Sequence, residues 1–333
     1  MNNDSLIPIP TYTRDVSILA SVLWTLLFVI GAMMNGLMIV VILKNRKLQT
    51  APNWLVFSMS VTDFVSLVFI RPIGSMAVYM HGWHFGLQSC RVIAFFNSFI
   101  FSLMLANLCF MAINRYVLIA HTAIYPKIFS KIGTLFVVTP FILFLTINLL
   151  LPFMGVWGEY GYVAEVNSCG LVVDTPSRSL FSMYAMAVGF GIPLVIMLYC
   201  YIRIFLLVRA QKKKISSHNS KVARGEQKLN NADVKLAKVM ASIFCLYIVC
   251  ILPRLSLSWI DKHNRWPMAQ TLAGTALIAY SVLNNIVFIA QNQQIRLACF
   301  KLLHIKINQV TMEQSSASGG VSQTKTMTVV GHM

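Results

Sequence analysis

Two arginines lie inside long apolar stretches of the sequence, and each stands beside a proline. Arg71 and Arg254 carry guanidinium groups that are costly to bury unless an anion neutralises them. If both side chains face one cavity, they suit bidentate binding of a carboxylate, sulfate or phosphate. Alternatively, Arg71 extends outward to solvent, or either arginine pairs with an acidic loop residue. The acidic candidates are Glu159, Glu165 and Asp174.

Three further polar residues lie well within apolar stretches. Asp63 falls near the middle of the second stretch, Asn35 lies in the first and Asn284 in the last. If they face inward, they form one buried polar cluster. The alternative is that they are separate packing groups satisfied by water.

Asn97 and Arg115 occupy the same face of the third apolar stretch. They are separated by five helical turns, or about 27 Å. One helix would therefore present Asn97 to a cavity at one end, and Arg115 of Asn114-Arg115-Tyr116 to the opposite surface. Arg115 alone also fits an arginine that extends to the membrane surface.

The composition determines which elements must position these residues. Of 333 residues, 57% are hydrophobic and 11% are charged, whereas about a quarter of the residues of a soluble protein are charged. The long apolar stretches predict an all-α fold, a bundle of seven transmembrane helices rather than a barrel. The predicted spans are 16–43, 53–80, 87–119, 131–153, 180–209, 234–260 and 268–290.

The placement of charge predicts the orientation in the membrane. The formal charge of +17 is concentrated in loops on one side, where Lys and Arg favour the cytoplasm. We therefore expect the N-terminus outside, a plasma-membrane location and contact with anionic lipids rather than nucleic acid. The sequon at Asn3 would then be open to glycosylation.

The sequence divides into one membrane domain with short flanking segments. Residues 1–15 are a polar extracellular segment without the pattern of a cleaved leader, and 16–290 form the seven-span domain. Residues 291–305 predict an amphipathic helix on the inner leaflet, in which Cys299 is a candidate palmitoylation site. The polar tail, 306–333, is predicted to be disordered.

Two of the seven cysteines fall on the predicted outer side. Cys90 begins the third span and Cys169 lies in the second outer loop, so both are in the oxidising compartment. A disulfide between them would hold that loop over the mouth of the bundle. The alternative is a pair of free buried thiols.

These motifs resemble those of rhodopsin-like G-protein-coupled receptors over about residues 20–304. The matching segments are 31–35, 60–63, 83–90, Asn114-Arg115-Tyr116, Pro193 with Tyr201, 250–253 and 284–288. Within that class, residues 115–121, 168–169 and 193–207 are similar to melatonin receptors and to medium-chain fatty-acid-type orphan receptors.

The resemblance implies a function and a switch. An extracellular ligand would bind between the helices, and a heterotrimeric G protein would dock inside, with arrestin and receptor kinases as further partners. Arg115 and Tyr201 would meet the G protein, Asp233 would restrain Arg115 at rest, and Pro253 would be the hinge of span 6. Asn284 and Phe288 belong to the corresponding switch of span 7.

The chain also departs from the family pattern at several positions. Asn114 replaces the usual acid beside Arg115, which predicts looser restraint and higher basal activity. Ile251 replaces a switch tryptophan, Asn285 a proline and Phe288 a tyrosine. Met104 replaces a hydroxyl that helps to bind sodium, so a sodium ion at Asp63 is not expected.

Two cavity positions narrow the class of ligand. Asn97 replaces the aspartate that neutralises a biogenic amine, and Ile278 replaces the lysine that binds retinal. If the two arginines bind an anion, the apolar and Met-rich surroundings favour a lipid-like or small aromatic acid. The resemblance to melatonin receptors implies inhibitory coupling. No catalytic constellation or cofactor motif is present, so we expect no enzyme. A non-signalling scaffold or decoy receptor, and more remotely a small transporter, are the alternatives.

Overall fold

The computed structural model describes residues 14–80, 82–163, 168–216, 231–261 and 266–303. Seven helices in these ranges are long and apolar enough to cross a membrane, which confirms the predicted bundle. We name them spans 1 to 7; they are Arg14–Lys44, Ala51–Tyr79, Leu87–Ala120, Lys131–Phe153, residues 176–216, Asn231–Ile260 and Pro267–Gln291. Shorter helices are Arg46–Leu48, Tyr125–Ile128 and Gln293–Leu302.

Two spans contain a π-helical segment. Span 2 consists of Ala51–Val65, a π-helix Ser66–Ile70 and Arg71–Tyr79, while span 5 consists of Pro176–Met186, a π-helix Ala187–Gly191 and Ile192–Ser216. A π-turn inserts an extra residue, which rotates the helix that follows it. In span 2 this rotation determines the direction of Arg71, the first residue after the insertion.

A two-stranded hairpin, which the all-α prediction omits, covers one end of the bundle. Strand β1, Tyr160–Val163, pairs antiparallel with β2, Ser168–Leu171, and Tyr162 lies opposite Cys169. An isolated hairpin of this size is marginally stable, and four-residue strands give almost no sequence pattern. Packing on span 3 and the disulfide described below stabilise it. We call this end of the bundle the disulfide end.

The opposite end, which we call the Arg115 end, is filled by the main hydrophobic cluster. Spans 3, 5, 6 and 7 contribute fully buried side chains, including Met111, Met197, Ile243, Tyr247 and Tyr280. The exposed apolar side chains lie on the outer faces of the spans, as expected of a bundle surrounded by lipid.

Candidate functional site

A cavity of about 470 Å³ opens among the helices at the disulfide end. Its walls come from all seven spans and from the hairpin, whose Tyr160, Cys169 and Leu171 lie over it. Most of the lining is apolar, with a few polar groups, which is typical of a small-molecule site. The five residues predicted to bind ligand all line it: Arg71, Asn97, Ile251, Arg254 and Ile278.

Arg254 is oriented by a residue that the sequence did not single out. Its Nη1 donates a hydrogen bond to Gln270 Oε1 at 2.6 Å, and Gln270 is buried near the start of span 7. A polar residue so close to a helix start looks like a capping or surface group in the sequence. Only the packing of span 6 against span 7 reveals that it holds the guanidinium.

Arg71 presents its side chain to the same cavity from span 2. It makes no side-chain hydrogen bond or ion pair with any residue that the structure describes. Both arginines therefore contribute positive charge to the cavity, and among the described residues that line it there is no Asp or Glu.

The acidic residues at the rim pair with other cations. Glu159 accepts from Arg91 and from Arg178, and Arg178 also binds Asp174 at 2.7 Å. The alternative pairing of the cavity arginines with Glu159 or Asp174 does not occur in the described part of the chain. Glu165 lies outside that part.

The predicted disulfide between Cys90 and Cys169 is present, with the Cα atoms 5.3 Å apart. It ties the start of span 3 to β2 and so fixes the hairpin over the cavity. Tyr160 of β1 is fully buried in this hairpin, and burial raises the pKa of its hydroxyl to about 12. This hydroxyl therefore stays neutral and adds no negative charge to the cavity at physiological pH.

Below the cavity, a polar cluster joins spans 1, 2 and 7. Both oxygens of Asp63 accept hydrogen bonds, from Ser281 Oγ at 3.1 Å and from Asn284 Nδ2 at 2.9 Å. Asn35 Nδ2 donates to the carbonyl of Ser281 at 3.0 Å, and Asn285 Nδ2 donates to Asn35 Oδ1 at 2.9 Å. The sequence indicated Asp63, Asn35 and Asn284, but the connecting groups are Ser281 and Asn285.

The Arg115 end is closed. Arg115 is 1% exposed, so solvent does not reach its guanidinium in this conformation. Neighbouring Asn114 donates from Nδ2 to Tyr125 Oη at 3.2 Å, which ties span 3 to the short helix Tyr125–Ile128. The ring of Tyr201 stacks on Phe244 with centroids 5.3 Å apart, which joins span 5 to span 6.

Three other predicted switch residues belong to spans 3, 6 and 7. Tyr116 Oη is 3.2 Å from His121 Nε2, Pro253 lies inside the span 6 helix, and Phe288 is fully buried. Asp233 belongs to span 6, but its side chain lies outside the described part, so its pairing with Arg115 stays a prediction.

The arrangement has known counterparts. Residues 34–287 match the model of the family described as 7 transmembrane receptor (rhodopsin family). This chain belongs to that receptor family. The receptor is thus a multi-pass membrane protein of a family of G-protein-coupled receptors, which are receptors rather than enzymes.

Individual relatives agree with this membership. The receptor is 26% identical to Protein trapped in endoderm-1 of Drosophila melanogaster, over 87% of this chain and 79% of that protein. It is 31% identical to Melatonin receptor type 1C of Gallus gallus, over 71% of this chain and 65% of the relative. It is 29% identical to Melatonin receptor type 1A of Mus musculus, over 80% and 75% respectively.

The crystal structure of squid rhodopsin has the same fold. It superposes on the receptor with a TM-score of 0.78, covering 96% of this chain and 98% of the rhodopsin chain, at 19% identity. At that identity the likeness establishes the arrangement of helices and nothing about the ligand.

The palmitoylation prediction at Cys299 needs correction. The helix Gln293–Leu302 starts at Asn292, whose Oδ1 accepts from the backbone N–H groups of Gln294 and Ile295. The helix packs against spans 1 and 7 through Ile295 and Cys299, so Cys299 joins the main cluster and is 2% exposed. An acylated cysteine has to face the membrane, whereas this thiol is on the buried face. The sequon at Asn3 lies outside the described residues.

Proposed function

We propose that the receptor is activated by a small organic anion bound between Arg71 and Arg254. The observation that carries this proposal is the charge of the cavity: two arginines line it, and no described lining residue is acidic. A guanidinium in an apolar site is stable only beside an anion or a good set of acceptors. An anionic ligand would add such a partner on the cavity side of the two arginines.

The geometry at Arg254 supports capture of an oxyanion. Because Gln270 holds one end of the guanidinium at 2.6 Å, the side chain is already ordered and loses little conformational entropy when it binds an oxyanion. The planar donor pairs of arginine match carboxylate, sulfate and phosphate oxygens. Asn97, on the opposing helix, would contribute a neutral hydrogen bond and cannot neutralise an ammonium group.

Binding would be coupled to the Arg115 end through span 6. In this proposal the disulfide end is extracellular and the Arg115 end is cytoplasmic, which agrees with the distribution of basic residues in the sequence. A ligand that pulls on Arg254 acts one residue from the Pro253 hinge. Outward movement of span 6 would separate the Tyr201–Phe244 stack and uncover Arg115 for a G protein, with the inhibitory class as the first candidate.

The test is a signalling assay in cells with a panel of carboxylates, sulfates and phosphates. Replacing Arg254 by Ala should remove the response, because loss of a buried charge partner costs about 2–5 kcal/mol, while Arg254→Lys should retain part of it. Arg91→Ala is the matched control, since Arg91 pairs with Glu159 outside the cavity. Equal responses from Arg254→Ala and wild type to every active anion would overturn the proposal.

A second comparison tests coupling itself. The Arg115→Ala variant should bind anions normally but activate no G protein, because Arg115 is remote from the cavity and faces the docking end. Anion binding to the wild type without activation of any G-protein class would indicate a non-signalling receptor instead.

A further inference from the structure

A second concave surface lies on the outside of the bundle, between spans 1 and 2. This groove encloses about 620 Å³. Its apolar walls include Val22, Leu26 and Val29 from span 1, and Val68 and Met76 from span 2, all of them exposed on the outer surface. In a membrane, such a surface is filled by hydrocarbon chains.

The groove and the central cavity adjoin each other. Phe28 and Ser75 line both of them. The two residues are almost fully buried, at 6% and 5% exposure, so they form a partition one side chain thick. Ser21 Oγ donates to the Ser75 carbonyl at 3.2 Å, which fixes the distance between the two helices at this point.

Span 2 connects the charged side of this partition to its apolar side. Arg71 lines the cavity, and the next residue, Pro72, lines the groove. The two sites therefore adjoin each other along span 2, and only the partition of Phe28 and Ser75 separates them. An amphipathic molecule would occupy both sites at once if it displaced the Phe28 side chain.

The groove is closed at its deep end by tight helix packing. A Cβ atom added at Gly31 would come within 2.6 Å of Leu67 Cδ1, so spans 1 and 2 leave no room there. A chain in the groove is thus directed towards Val22 and Tyr79 near the disulfide end rather than towards the Asp63 cluster.

We propose that the activating anion is a single-chain lipid whose hydrocarbon chain lies in this groove. This inference rests on the proposed function, because it places the headgroup, a carboxylate or a phosphate, between Arg71 and Arg254. The chain displaces the Phe28 side chain, passes Ser75 and leaves the bundle between spans 1 and 2. A small aromatic acid, in contrast, would be confined to the central cavity and would not use the groove.

A chain gains little free energy by moving from bilayer to an equally apolar groove. The groove instead provides a path that lets the headgroup reach the arginines while the chain stays in hydrocarbon. Blocking the path should therefore weaken binding of long-chain anions and leave binding of short-chain anions unchanged. For each anion, the blocked variant and the wild type are compared at the same mole fraction of the anion in the bilayer.

The experiment measures equilibrium binding of radiolabelled probes to the purified full-length receptor in lipid nanodiscs. The probes are hexanoic and hexadecanoic acids and the corresponding monoalkyl phosphates. Val29→Trp fills the groove, and the matched control Val195→Trp changes an equally apolar, lipid-facing residue that lines neither site. Phe28→Ala removes the larger side chain of the partition and so opens a path between the cavity and the groove. A thermal melt verifies that each variant is folded.

We expect Val29→Trp to weaken binding of the long-chain probes by about tenfold or more through steric exclusion, with no change for the short-chain probes or for Val195→Trp. Phe28→Ala should preserve or strengthen long-chain binding. Equal affinities of Val29→Trp and wild type, equal weakening at both chain lengths, or binding of the short-chain acids alone would overturn the lipid proposal. Arg254→Ala tests the proposed function separately, since its failure to weaken any probe would refute that function whatever the groove variants do.

Discussion

The side-chain amide of Asn285 donates a hydrogen bond to Asn35 Oδ1 at 2.9 Å, which links span 7 to span 1. Both residues are almost completely buried, at 2% and 0% exposure. The family usually has proline at this position of span 7, which could not form such a bond. The receptor thus has a polar link between two helices where a helix distortion would be expected.

This link predicts coupling between the two asparagines. Asn285→Ala and Asn35→Ala should each lower stability by about 1–3 kcal/mol, because each leaves a buried polar group without its partner. The double variant should cost less than the sum of the two. Thermal melts in detergent measure this, and Asn148 of span 4 provides the control, since its substitution should add independently to Asn285→Ala. If the stability lost in the double variant equalled the sum of the losses in Asn285→Ala and Asn35→Ala, the link would be contradicted.

Sodium should not stabilise the receptor. Both oxygens of Asp63 already accept hydrogen bonds from Ser281 and Asn284, and Met104 offers an apolar side chain where the family has a hydroxyl. The melting temperature in sodium chloride should therefore match that in choline chloride within about 1 °C, since an ion that does not bind cannot shift unfolding. A sodium-specific rise that saturates with concentration would show that the carboxylate binds the ion despite these contacts.

Loss of the disulfide should have the same effect whichever cysteine is changed. Cys90→Ser, Cys169→Ser and the double variant should all lower the surface-expressed fraction and the melting temperature to a similar degree, because each removes one cross-link worth about 2–5 kcal/mol. Cys245→Ser, at an exposed free cysteine, is the control and should behave as wild type. A double variant clearly worse than either single one would indicate separate roles.

Cys299 should react slowly with alkylating reagents at neutral pH. Burial raises the pKa of its thiol, so a smaller fraction is thiolate in the folded receptor than in the unfolded chain. The labelling rate should rise as the pH is increased through the folded-state pKa, and denaturation should remove the difference. Mass spectrometry of the peptide containing Cys299 follows the rate. Fast labelling of folded receptor at pH 7, or stoichiometric palmitate at this residue, would contradict its burial.

The lengths and composition of the apolar stretches in the sequence predict most of the architecture. Seven uniformly apolar stretches can be satisfied in lipid only as helices, so their number follows from the sequence. Ionisable residues are so costly in that setting that Asp63, Arg71, Arg115 and Arg254 stand out individually. Cys90 and Cys169 are the two cysteines predicted to lie on the oxidising side of the membrane, so the sequence also predicted the disulfide.

What the sequence could not determine depends on how helices meet. Gln270 and Ser281 look like ordinary polar residues until span 7 is packed against spans 6, 1 and 2, where they bind Arg254 and Asp63. Cys299 looks membrane-facing because amphipathicity gives a helix two faces but does not say which one meets the bundle. The packing of this helix against spans 1 and 7 decides it. The groove beside Phe28 arises from two outer helix surfaces, and its position next to the cavity exists only in the assembled bundle.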